Sequence, residues 1–188
     1  MSSKLELRMY GFVPYNISPI QQAIQFGHAV VEYGQMIKGK TKQEIIYDDW
    51  ANNWKTFIIL NGGTTNHKTF LEDGLPFGSL NNHLLTLIDN GVDFAQFNEP
   101  DLGDQLTAVV FIVDERVFNR NKYPDFEDWV IDNYGDLIIS NGNSYQIAKR
   151  IKESTSKKDQ KVYQEWIKLV GGEKNVFLRD FLKNFRLA

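Results

Sequence analysis

Between Pro19 and Met36 apolar residues return every three or four positions, whereas Leu5 to Val13, Lys55 to Asn61 and Leu106 to Val113 hold short runs rich in Val, Ile, Leu and Phe. The first spacing predicts an amphipathic helix and the runs predict strands. Ser18 is placed to cap the helix, with Pro19 in the first turn, where its absent N–H costs nothing. Ile20, Ala23, Ile24, Gly27, His28 and Val31 form one stripe, expected to face the core. Truncation of Ile24 to Ala is then expected to cost about 2–5 kcal/mol. A second helix is predicted after a Thr41 cap, with Ile45, Ile46, Trp50 and Trp54 on its apolar side. Ser79 is expected to cap a third, buried through Leu80, Leu84, Leu87 and Ile88 and ended by Gly91.

These elements alternate, so the fold class is α/β. Residues 5–13, 55–61, 93–98 and 106–114 are predicted to form one sheet, with the continuous apolar run of 106–114 lying centrally. That strand follows its predecessor through a short turn and is expected to be antiparallel, which leaves the loops after the other three on one edge. Beyond it, residues 125–140 and three further segments read as helices. They offer too few apolar positions for a separate core. The reading is therefore a single domain over 1–188, with a core at 5–117 and a helical extension at 118–188 packed on it.

Composition narrows the classes. The chain of 188 residues is 42% hydrophobic, ample for a core, and has no cysteine, which excludes disulfides and thiolate chemistry. No apolar run approaches membrane-spanning length and no signal-like leader is evident, so a cytoplasmic protein without membrane contact is expected. From Ala148 onward eleven Lys or Arg face five acids, which leaves ten against nineteen before it. Such a basic tail suits either a polyanion contact or a solvated helical face.

The run QAIQFGHAVVEYG after the first strand, with FNEPDLGDQLTAVVFIV later, resembles the type II peptidyl-tRNA hydrolase family over about residues 5–117. Gln25, His28 and Ala29 match the family's helix motif, Gly27 stands where it has serine, and Glu99 falls at its aspartate. Its lysine position is occupied by Gln21, and the loop after Glu99 is shorter. The resemblance implies a three-layer α/β sandwich around a mixed four-stranded sheet, and action on an ester linked to tRNA or a nucleotide. A non-catalytic module binding a nucleotide, RNA or protein through the same loops is the alternative.

Three loops supply candidate chemistry. His67 is the leading general base, because a loop imidazole titrates near neutrality and polar neighbours surround it. Glu99 is the second catalytic candidate. Asn16, Gln21, Asn61, Thr64, Thr65, Asn66, Lys68 and Asp101 are candidate binding residues, and Asn16, Asn61, Thr64, His67 and Glu99 are expected to line one cleft. The Asn-Gly-Gly-Thr-Thr segment could turn backbone N–H groups toward a phosphate. The acids at 99, 101 and 104 match no metal spacing, and neither a metal nor a cofactor is expected. His28, on the apolar stripe, reads as a core histidine, and the tail aromatics Tyr145, Tyr163 and Trp166 read as core.

Overall fold

The computed structural model describes residues 4–65, 78–138 and 144–188. Strands β1 (Leu7–Val13), β2 (Thr56–Asn61), β3 (Phe94–Glu99) and β4 (Gln105–Asp114) form one mixed sheet in the order β2-β1-β4-β3, close to the predicted bounds. β1 and β2 are parallel, while β4 is antiparallel to both β1 and β3. Three strands therefore run the same way and end on one edge of the sheet, and β4 is the reversed one, as its short entry turn predicts. The buried run Leu106–Phe111 holds a central place.

Two helical layers cover the sheet. Helices α1 (Pro19–Met36) and α2 (Thr41–Asp49) lie on the face that presents Leu7, Met9, Val13, Ala108 and Val110. On the other face the Phe12 ring of β1 packs at a tilt against Phe111, His83 of α3 (Ser79–Asp89) and Phe185. The outer edge of β2 is covered by the chain's end: Asn61 N–H donates to Arg186 O at 2.9 Å, and Ala188 N–H to Ile59 O at 3.0 Å.

The α1 cap is as predicted. Ser18 Oγ accepts from Gln21 N–H, and Gln21 Oε1 accepts from Ser18 N–H at 3.0 Å, so both ends of the turn are satisfied reciprocally. The buried face, however, is not the predicted stripe. Ile20 is 74% exposed, Ile24 48% and Val31 59%, and the helix buries Gln25, Phe26, Ala29 and Tyr33 instead. Both sets obey the helical period, so spacing alone cannot choose between them. The sheet decides: Gly11 of β1 leaves room for the Phe26 ring, and a Cβ there would lie 2.5 Å from Phe26 Cε2. His28 is likewise exposed, its ring 4.5 Å from that of Phe97.

Smaller differences have similar causes. Thr41 is the first residue of α2 rather than its cap, and Ile45 points outward while Trp50 is buried in a π-helical turn that closes the helix. Ser79 opens α3, and Gly78 takes the cap position. Leu80, Leu84 and Leu87 are buried as expected, but Ile88 is half exposed.

The chain divides into two compact units, Met1–Asp114 with Leu182–Ala188, and Glu115–Phe181. The second comprises α4 (Glu115–Phe118), α5 (Phe126–Ile138), α6 (Ser144–Glu153), α7 (Lys157–Leu169) and most of α8 (Glu173–Leu182). It carries its own apolar cluster, built on Phe126, Val130, Ile147, Ile151, Trp166 and Val170. The expectation of too few apolar positions for a core thus gives way, because aromatic residues carry much of the burial. Tyr145 is the exception among the tail aromatics and is exposed. Arg179, 1% exposed, ties this unit together. Its guanidinium donates to the Arg116 carbonyl, to Tyr123 O at 2.8 Å and to Asp125 Oδ1 at 2.8 Å.

Candidate functional site

The loops after β1 and β2 meet at the shared edge. Asn16 Nδ2 donates to Thr65 O at 3.0 Å, and Asn16 Oδ1 accepts from Thr65 N–H at 3.3 Å, a reciprocal pair across 49 positions. The remaining amides there are also engaged. Gly62 N–H donates to Val13 O, Gly63 N–H to Asn61 Oδ1, and Thr64 N–H to Ser79 Oγ at 2.7 Å. Gly63, at φ +83, could not carry a Cβ without striking Ser79 Oγ. Asn16, Asn61, Thr64 and Thr65 are thus brought together, with Asn16 bonded to the Thr65 backbone, Asn61 to Gly63 and Thr64 to Ser79, while the buried Thr65 hydroxyl has no hydrogen-bond partner among the described residues. The Asn-Gly-Gly-Thr-Thr segment offers no amide for a phosphate: all four N–H groups from Gly62 to Thr65 have protein acceptors.

Glu99 stands at the same end of the sheet but on its opposite border. β2 and β3 are separated by three strand spacings, about 14 Å. The partners of Glu99 come from α1 and from the turn that follows β3. Gln25 Nε2 donates to Glu99 Oε2 at 2.5 Å, and Asp101 N–H to Glu99 Oε1 at 3.3 Å. Gln25 Oε1 in turn accepts from the Thr107 hydroxyl at 2.9 Å. The donor from Thr107 and the acceptor at Glu99 leave the Gln25 amide one orientation. Gln25 and Thr107 are buried, whereas Glu99 is half-buried, so the chain of bonds runs from the interior to a carboxylate at the surface.

A β-bulge makes this contact possible. Phe97 pairs with Ala108 and Asn98 with Leu106, so Thr107 is the extra residue on β4. Strict alternation would place Thr107 on the α3 face, away from Ala108. The bulge re-aims it toward α1, where Gln25 waits. Neither Thr107 nor Gln25 is among the residues expected at the site, although both leave a mark in the sequence: a threonine interrupts the apolar run of β4, and a glutamine sits among Phe26, Ala29 and Tyr33 at helical spacing. Polar residues inside an apolar period are where buried networks form.

The other candidates divide. Gln21, which the resemblance places at the family's lysine, is uncharged and held by the capping box. Asp101 lies in the exposed turn after β3, where Gly103 and Asp104 both adopt positive φ and Asp104 N–H donates back to Glu99 O at 2.9 Å. His67, Asn66 and Lys68 lie outside the described residues. Among the described residues no group of three or more His, Asp or Glu is arranged to hold a metal ion, and no helix is long and apolar enough to cross a membrane. Comparison with known protein families gives no match, and comparison with curated proteins gives none either.

Proposed function

We propose that the α/β unit is a hydrolase of the peptidyl-tRNA hydrolase type, cleaving an ester joined to tRNA or to a nucleotide. The observation that carries this reading is the Thr107–Gln25–Glu99 chain. Gln25 and Glu99, the positions the family resemblance lines up, are 74 residues apart and hydrogen-bonded. In this reading the Glu99 carboxylate takes a proton from water, the water oxygen attacks the ester carbonyl carbon, and the ribose oxygen leaves with a proton. Gln25 holds Glu99 in place, since its own amide is fixed by Thr107.

Assay of peptidyl-tRNA cleavage by the full chain tests the reading. Glu99→Gln is expected to lower turnover by about 10²–10⁴-fold with substrate binding largely kept, the signature of removing a general base. His67→Ala belongs in the same assay, because an imidazole is the rival base. A second reading has one observation in its favour: Gln21, an uncharged residue, stands where the family has lysine. A module that only binds would show no turnover in the unaltered chain, and Glu99→Gln would then move affinity alone.

A further inference from the structure

The outer face of α1 is apolar and almost uncharged. Ile20, Ile24, Gly27 and Val31 follow one another at spacings of four, three and four, the repeat of a two-helix seam. A Cβ built on Gly27 meets nothing within 4 Å, so the middle of the seam is an open notch. Gln21, Ala23, His28 and Gln35 flank it, and Glu32 is the helix's one acid. An 18-residue helix with this face turned to water is built for contact rather than for solvation.

We propose that this face pairs with the same face of a second copy of the chain, antiparallel, with Ile24 of each helix seated over Gly27 of the other. The self-complementarity is specific to that direction. Antiparallel pairing sets Ile20 against the second copy's Val31 and fills each Gly27 notch with an Ile24 side chain. Parallel pairing in register would set glycine against glycine and leave a void at the centre. Charge agrees with the direction. The first turn of α1 holds no acid, and the antiparallel register brings Glu32 of each copy alongside the other's first turn, where the helix dipole favours a negative charge. The contact is small. Two helices of five turns bury on the order of 1,000 Å² in total, the lower limit for a specific interface, so the dimer is reversible and concentration-dependent.

Sedimentation equilibrium of the full chain is expected to show a monomer–dimer equilibrium that Ile24→Asp abolishes. Far-UV circular dichroism of that variant should be unchanged, because Ile24 is not part of the core. The absence of cysteine allows a second test that does not depend on the first variant. On oxidation, an equimolar mixture of Ile24→Cys and Gly27→Cys chains should cross-link as the mixed pair in preference to either like pair, since a disulfide needs Cα atoms about 4.4–6.8 Å apart. A monomer at every concentration, a dimer that survives Ile24→Asp, or preferential Gly27→Cys self-linkage would each overturn the proposal. The first would leave the face to a different occupant, the second would place the interface elsewhere, and the third would reverse the helix direction.

Discussion

His83 shows how a single side chain couples this fold to pH. Its ring lies 4.7 Å from that of Phe185 and 5.6 Å from that of Phe12, and burial holds its pKa below the usual 6.5. The unfolded chain therefore takes up a proton near pH 6.5 while the folded chain resists until lower pH. The stability this site contributes is complete above pH 6.5 and declines as pH falls through the folded value. Thermal melts at stepped pH should show that decline, and His83→Phe should flatten the part that His83 supplies. The candidate site obeys the same scale of reasoning. Glu99 is legible in the sequence as one of three crowded acids, yet the chain of bonds behind it is not, because the link from β4 depends on a one-residue bulge that no alternation pattern announces.

At the scale of the element, α1 is the clearest case. Its existence, its Ser18 cap and its Pro19 start follow from local chemistry, and all three are readable in sequence. Its orientation is not, because two stripes share one period and only the sheet's shape distinguishes them. Gly11 provides the recess, and Phe26 is the residue that fits it. Phe26→Ala should consequently cost about 3–5 kcal/mol, whereas Ile24→Ala, at a half-exposed position, should cost less than about 1 kcal/mol at concentrations where the chain is monomeric. Urea titrations of the two variants at low protein concentration check the contrast, and equal losses would return the predicted stripe to the core. The strands are easier to read: β4 is buried on both faces and continuous in apolar residues, and its reversal follows from the shortness of the turn before it.

For the whole molecule, charge and connectivity matter more than any one element. Lys157, Lys158 and Lys161 are exposed on α7, whereas Arg179, part of the same basic tail, is buried and committed to backbone carbonyls and Asp125. If the tail meets RNA, the three lysines are the residues that do so. Replacing them with Gln should weaken binding and lower the slope of log affinity against log salt by roughly one for each phosphate no longer neutralised. An unchanged slope in a filter-binding series would leave the tail a solvated face. The separate core of residues 115–181 is inconspicuous in the sequence because its Val and Ile are scattered singly or in pairs among polar residues and share the packing with Phe126 and Trp166, where continuous aliphatic runs are the usual sign.

The strand-like segment at 186–188 has a consequence for synthesis. β1 to β4 are available to fold once Asp114 has left the ribosome, but the residues that cover the outer edge of β2 follow 72 positions later, after the helices have been made. At 5–20 residues per second that interval is roughly 4–15 s. For that time the nascent sheet lacks the bonds that Arg186 and Ala188 later make with Asn61 and Ile59, and an uncovered strand edge is a template for pairing with other chains. Folding yield should therefore depend on how fast the helical segment is translated, which makes codon choice between residues 115 and 185 a determinant of soluble protein.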